Sequence, residues 1–509
     1  MSRPDESPPP DRPARAERVV LAERTFSEAD QSRFAAVSGD RNPMHLDPVL
    51  ARRTQAGVPV VHGVHLVLWG LEALAAAEPG LAPMRRLRAQ FKHFAAVGES
   101  VAVAATRSGE SVRLDFTAAG MTIAQLVIDF GAALETAEAP SGAFVPAPAE
   151  ALDVSFEAMA GMSGRLAFAS PPDAVAPLFP SASRWLGPRR VAALAASTLL
   201  VGMVCPGLHS IFAGFSVEAC GEPDRADDRL AFKVTATEPR FQAVQMAIAG
   251  GGLVGAVQSY ARTPPTPQAS VQDLAEAVKP GEFSGAFALI IGGSRGLGEV
   301  AAKLLAAGGA RVVVTYRVGG AEAEAVAREI RAAGGACETL AYDASLPAGP
   351  QLAGLADAPT HAYYFATPTI FRAQSALLAR TRLNAFLDVY VEAFLDLAEA
   401  LRRRRADVSL FYPSSVFVAE RPRGMLEYAM AKAAGETLCA EMNQAWAPLH
   451  VTHDRLPRVR TDQTASVMGV SLPSPAGALL PALRETQSWP RAAKDKNAPD
   501  SLHQTASAG

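Results

Sequence analysis

A chain of 509 residues is long enough for roughly three folded units. It is 49% hydrophobic and 19% charged, and 48 Lys and Arg against 51 Asp and Glu leave a net charge of −3. That balance excludes wholesale disorder and argues against a dedicated binder of nucleic acid or anionic membrane, since both need a basic surface.

Residues 1–17 are charged and Pro-rich, lack the apolar centre of a signal peptide, and are expected to be disordered. No membrane span is expected, because no apolar run of about 18 residues is uninterrupted. Four scattered cysteines without a CxxC offer no zinc spacing and point to a reducing, cytoplasmic compartment, with no metal. Residues 18–135 form the first expected domain. Gly63 to Ala77 is apolar on nearly every face and reads as a buried helix, stopped by Pro79-Gly80. Strand-like segments follow at Leu87 to Phe94, Val101 to Thr106, Val112 to Ala119 and Thr122 to Phe130. A long helix wrapped by the sheet that follows it is the hot-dog arrangement.

Residues 136–149 read as a linker, and residues 150–263 repeat the order of elements. The helix there is Arg189 to Val204, and the strand-like stretches are His209 to Ala219, Arg229 to Thr237, and Arg240 to Arg262 broken at Gly250-Gly251-Gly252. The expectation is an α+β double hot dog. Residues 264–282 read as a second linker. From 283 to 470 strands, glycines and helices alternate at the spacing of an α/β, Rossmann-type doubly wound parallel sheet. The basic run Arg402 to Arg405 ends a helix-like stretch and complements its dipole. Residues 471–509 are polar or broken by proline and are expected to be a mostly disordered tail.

Two stretches carry chemistry. In the first, Gly39 and Asn42-Pro43 force a loop that presents Asp40 and His45 five residues apart. A carboxylate and an imidazole converging on one point hold a water and move its protons. Val60-Val61-His62-Gly63 then opens the buried helix, where backbone N–H groups at Gly63 suit a thioester oxygen. His62 itself reads as structural. The strings SGDRNPMHLD and VVHG together resemble the signature of MaoC-like (R)-specific enoyl-CoA hydratases. The resemblance implies that Asp40 and His45 activate one water for addition to C3 of a trans-2-enoyl thioester, with Asn42 orienting the pair. The second hot dog is similar to the non-catalytic half of double-hot-dog hydratases. It lacks a DxNPxH, and His209 has no carboxylate neighbour in a comparable loop.

The second stretch begins with Gly292, Gly293, Ser294, Arg295, Gly296, Leu297 and Gly298 between a strand and a helix, a phosphate-binding context. The next strand ends Thr315-Tyr316-Arg317 without an acidic residue for a ribose 2′-OH, so Arg317 and Arg295 either meet a 2′-phosphate or face water. The first favours NADP(H). Asp343 either bonds the adenine edge or caps a helix. Tyr428 and Lys432 share a helix face, and Ser415 precedes Tyr428 by thirteen residues, with Ser414 as the adjacent alternative. This region resembles the short-chain dehydrogenase/reductase family. Ser415, Tyr428 and Lys432 then match its catalytic triad, and Thr461 the threonine that contacts nicotinamide. Phe365-Ala366-Thr367-Pro368 departs from the family's usual NAG, Pro457-Arg458 from its PG, and Tyr390 stands where it has asparagine.

The two resemblances share one intermediate, a (3R)-hydroxyacyl thioester. The content is similar to that of peroxisomal multifunctional enzyme type two, with the domain order reversed. The expected substrates are thioesters of CoA or acyl carrier protein, reduced and then dehydrated in a biosynthetic direction. The same activities run oxidatively in acyl-CoA degradation, or a non-catalytic thioester-binding scaffold with a degenerate reductase, are the alternatives. A homodimer is compatible with either.

Overall fold

The computed structural model describes residues 17–135, 139–221, 228–265, 267–368, 370, 378–461 and 472–496. The disorder expected for residues 1–16 and 497–509 lies outside them. The chain divides into two compact units, one of residues 1–47 and 59–262, the other of residues 48–58 and 263–509.

In the first unit the strands are β1 (Arg18–Thr25), β2 (Met84–Phe91), β3 (Ser100–Ser108), β4 (Ser111–Ala118), β5 (Met121–Phe130), β6 (Phe144–Val145), β7 (Ser163–Ala167), β8 (Ser210–Ala219), β9 (Arg229–Glu238), β10 (Ala243–Gly250) and β11 (Leu253–Ala261). They form a single eleven-stranded sheet in the order β1-β3-β4-β5-β2-β8-β11-β10-β9-β7-β6. Antiparallel pairing of β2 with β8, Leu87 opposite Val217, joins the two hot dogs. The helices Gly63–Ala77 and Pro188–Leu199 lie against this sheet and against each other, and Val191 to Leu199 of the second are all buried. Gly70 leaves room for the Phe116 ring: a Cβ there would sit 2.4 Å from it. The two expected domains therefore share one core, running from Phe34 and Leu71 through Leu199 to Val257. The stretch read as a linker at 136–149 carries β6, which pairs with β7.

The second unit holds β12 (Phe287–Ile291), β13 (Arg311–Tyr316), β14 (Ala336–Ala341), β15 (His361–Tyr364), β16 (Ser409–Ser415) and β17 (His450–Leu456). They form a parallel sheet in the order β14-β13-β12-β15-β16-β17, with a hydrophobic cluster on each face, as the expected fold class requires. The strand order reverses between β12 and β15, the switch point at which such sheets bind ligands. The basic run closes the helix Ala393–Arg404, in its last turn.

The tail is a correction. Pro475–Lys496 is a helix whose Leu479 and Leu483 are fully buried against β16, β17 and the helix Gly296–Ala307. Its buried Thr486 bonds the Thr452 hydroxyl at 2.5 Å. The stretch read as a linker at 264–282 likewise contains a short helix, Val271–Ala275, opened by a reciprocal Ser270–Asp273 cap.

Candidate active sites

In the first unit the helix Glu28–Ser38 ends at Gly39 in the left-handed region, φ 82°, and the reversal carries Asp40 into the interior, 1% exposed. Asn42 caps the short helix Pro43–Leu46 through its side-chain oxygen on the Met44 N–H, so His45 has a fixed stem. Both carboxylate oxygens of Asp40 are engaged. Oδ1 accepts from the Asn42 N–H at 3.0 Å and Oδ2 from the Thr198 hydroxyl at 2.6 Å. His45 Nδ1 lies 2.8 Å from the Val60 carbonyl, which makes Nδ1 the donor and leaves Nε2 on the side of Asp40. That Nε2 stands 4.0 Å from Asp40 Oδ2, too long for a direct hydrogen bond and short enough for one water to span.

Burial pushes the Asp40 carboxyl above its usual range; the neighbouring His45 imidazole, the Thr198 hydroxyl and the Asn42 N–H pull the other way. A carboxylate so placed is a stronger base than one in water. His62 is fully buried, bonded to Gln31 and facing the Asp40 carbonyl, and burial holds it well below the usual histidine range, hence neutral. It stacks on His45 at 3.7 Å between centroids. Asp40, His45 and His62 offer ligand atoms within 4.8 Å of one another. The two rings are 22° from parallel, and both Nε2 atoms approach the same Asp40 oxygen, at 4.0 and 3.9 Å. Gly63, next to His62, opens the helix and packs on Phe91, where a Cβ would meet the ring at 2.9 Å.

Two partners of this cluster are absent from the sequence reading. Thr198 and Gly202 come from the second hot dog; Gly202 accepts from Asn42 Nδ2 at 2.8 Å. The one available signal was a polar Ser197-Thr198 pair inside an otherwise apolar helix. A correction also falls on His209, whose Nε2 is 3.5 Å from the Asp153 carboxylate, although Asp153 is 71% exposed.

In the second unit a cavity of about 540 Å³ opens at the switch point. Its floor is the glycine loop. Gly292 has φ 79°, and a Cβ on Gly298 would lie 2.3 Å from the Gly292 carbonyl oxygen, so the loop closes this tightly only with glycine. Ser294, Gly296 and Leu297 line the same cavity at the start of the helix Gly296–Ala307. Arg317 is exposed at its rim, while the Arg295 guanidinium donates to the Arg52 carbonyl at 2.7 Å. Asp343 lines the cavity and accepts from the backbone and hydroxyl of Ser345, holding a turn. Thr461 borders it opposite Gly296.

Ser415, Tyr428 and Lys432 line that cavity together. Ser414 is committed to Glu436, itself paired with Arg455, so of the two serines Ser415 is the one bonded to Tyr428. Burial raises the Tyr428 phenol, against which the Ser415 bond acts. Lys432 is fully buried, donates to the Pro413 carbonyl at 2.6 Å, and is pushed by burial down to about 7. Its ammonium sits over the rings of Tyr390 and Tyr412 at 3.8 and 4.7 Å from their centroids. Tyr390 lies in a π-helical turn, Asp388–Glu392, and bonds the Thr367 hydroxyl at 2.5 Å. Such turns interrupt helices at functional positions. Tyr390 thus presents its ring to the lysine.

The fold and these two clusters define a hot-dog unit followed by a nucleotide-binding α/β unit. Residues 10–127 match the MaoC like domain family and residues 286–351 the short chain dehydrogenase family. Each match covers only part of the chain, a MaoC-like segment in the first unit and a short-chain-dehydrogenase-like segment in the second. It is 34% identical over 83 residues to the peroxisomal hydratase-dehydrogenase-epimerase of Saccharomyces cerevisiae, and 46% identical over 43 residues to the (R)-specific enoyl-CoA hydratase of Aeromonas caviae. Those matches span 16% and 8% of this chain, and only 9% and 32% of the two relatives. Among solved structures, a short-chain dehydrogenase from Burkholderia cenocepacia in complex with NADP is 26% identical, with a TM-score of 0.36 over 41% of this chain and 94% of that one. A 3-oxoacyl (acyl-carrier-protein) reductase from Agrobacterium tumefaciens with NADP bound is 25% identical, with a TM-score of 0.33 over 36% and 73%. Among the described residues no helix is long and apolar enough to cross a membrane.

Proposed function

We propose that the protein is a bifunctional NADPH-dependent 3-oxoacyl-thioester reductase and (3R)-hydroxyacyl-thioester dehydratase, working on CoA or carrier-protein thioesters in a biosynthetic direction. The observation that carries this reading is that one chain bears two acid–base sets, Asp40 with His45 and Ser415 with Tyr428 and Lys432, whose reactions meet at one hydroxyacyl thioester. A cytoplasmic location belongs to the same reading, supported by the free thiols of all four cysteines.

In the hydration direction Asp40 and His45 hold one water and take its proton. The water oxygen bonds C3, the C2=C3 electron pair moves to C2, and a proton is returned there. Backbone N–H at Gly63 meets the charge that builds on the thioester oxygen. Dehydration is the reverse.

For ketone reduction, Ser415 holds the substrate carbonyl and Tyr428 gives it a proton, with the Lys432 charge supporting the phenolate left behind. The glycine loop, closed so tightly at Gly292 and Gly298, fits a pyrophosphate. Gly292, Ser294, Arg295, Gly296, Leu297 and Gly298 would hold it, Arg317 and Arg295 the 2′-phosphate, Asp343 the adenine and Thr461 the nicotinamide. NADPH, when bound, supplies the hydride. The deciding experiment offers the purified protein a 3-oxoacyl-CoA with NADPH. NADPH consumption, a (3R)-hydroxyacyl product and its conversion to the trans-2-enoyl thioester are expected; a (3S) product, or no reduction, overturns the reading.

A further inference from the structure

We propose that Thr198, in the half of the double hot dog that carries no DxNPxH, is the positioning residue that keeps Asp40 an oriented, ionised base. The inference rests on the reading of Asp40 as the hydratase base.

A threonine inside a helix ordinarily turns its hydroxyl back to a carbonyl one turn earlier. Ser197 does so, donating to the Leu194 carbonyl at 2.6 Å. Its neighbour Thr198 instead donates across the interior to Asp40 Oδ2 at 2.6 Å. Both residues are buried, so this bond has little competition from water. The oxygen it meets is the working one: Oδ2 faces His45 Nε2 at 4.0 Å and His62 Nε2 at 3.9 Å.

The chain makes room for this contact. Directly after Pro188–Leu199 the helix widens into a π-helical turn, Leu200–Val204. The turn aims the Gly202 carbonyl at Asn42 Nδ2 and lays the Gly202 Cα against the carboxylate, where a Cβ would sit 2.4 Å from Oδ1. Oδ1 is held by the Asn42 N–H. Thr198 and Asn42 therefore fix the carboxylate by one oxygen each, and Gly202 sets how close the two halves come.

The titratable groups that face Asp40 are His45, from the helix Pro43–Leu46, and His62, at the start of Gly63–Ala77; Pro188–Leu199 and the π-helical turn bring none. A hydroxyl donor favours the ionised carboxylate. Its loss moves the acid limb of hydration to higher pH.

The experiment compares the full chain with Thr198→Val, which keeps the shape, and Thr198→Ser, which keeps the donor. For Thr198→Val, enoyl-CoA hydration at pH 7 is expected to fall about tenfold in kcat with KM little changed, the scale of one hydrogen bond to a charged group. Its acid limb should move up, and Thr198→Ser should restore both. In parallel, the Asp40 carboxyl is titrated by infrared difference spectroscopy against Asp40→Asn; its midpoint should rise in Thr198→Val and return in Thr198→Ser. Unchanged pH profile and midpoint in folded Thr198→Val overturn the proposal. Absence of hydration in the parent chain overturns the reading of Asp40 as a hydratase base, while the carboxyl titration still decides what Thr198 does to it.

Discussion

The Lys432 ammonium lies 3.8 Å from the centroid of the Tyr390 ring, close enough for the ring's electron-rich face to hold a charge that burial works to expel. Tyr390→Leu should remove that face, lower Lys432 further and cut ketone reduction at neutral pH about tenfold, in line with a desolvated cation–π contact of ~1–2 kcal/mol. Tyr390→Phe keeps the ring and should stay within about threefold of the parent. Steady-state kinetics on both variants check this; equal losses would place the importance in the Thr367 bond instead.

Lys432 also ties stability to pH. In the unfolded chain its ordinary value is 10.5, and in the fold it is lowered to about 7. Between those values the unfolded chain binds more protons, so this group adds stability as pH rises from about 7 and costs it in full below. Lys432→Met should lose reduction yet melt higher than the parent near pH 6, with the difference shrinking towards pH 10. Thermal melts across that range test the sign.

Asp40→Asn preserves shape and removes the base. Hydration should fall at least a hundredfold, the usual worth of a positioned acid–base group. His45→Ala should do likewise, and His209→Ala should have little effect, because its Asp153 partner is solvent-exposed. Near-normal hydration by Asp40→Asn with loss in His209→Ala would move the reaction to the other half of the double hot dog.

Arg317 stands at the cavity rim without an acidic neighbour at the end of β13. NADPH should bind more tightly than NADH, and Arg317→Ala should narrow the gap, since a guanidinium pairs with a 2′-phosphate. Titration of both reduced cofactors decides it; tighter NADH binding that ignores the substitution refutes the assignment.

The two constellations lie in separate compact units. Tyr428→Phe should stop reduction and spare hydration, Asp40→Asn the converse, and an equal mixture should carry a 3-oxoacyl thioester to the enoyl form through released intermediate. Loss of hydration in a folded Tyr428→Phe protein would mean the sites are coupled.

What the sequence made legible was local. Asp40, Asn42 and His45 fall within six positions, and the glycine loop within seven, so a loop's own geometry brings them together. The partners of Asp40 were not legible, because Thr198 is 158 positions away and its place depends on how two hot dogs meet. The pairing of Asp153 with His209 was not legible either, because the two stand 56 positions apart within the second hot dog. The last helix was misread because the stretch from 471 reads as polar and broken by proline. Pro475 opens the helix, where proline is tolerated, and the buried Leu479 and Leu483 were spaced for one face all along.

The join between β2 and β8 has an evolutionary reading. Each is the first strand after its half's long helix, and they pair antiparallel, with Arg86 opposite Glu218 and Gln90 opposite Gly214. That is the self-complementary seam of a two-fold symmetric dimer, written into one polypeptide. In a dimer of identical subunits any change at the seam appears twice, and each subunit must serve as both donor and recipient. Tandem fusion lifts that constraint. One half can keep the loop of Asp40 and His45 while the other is free to change, supplying Thr198 and Gly202 as its buttress.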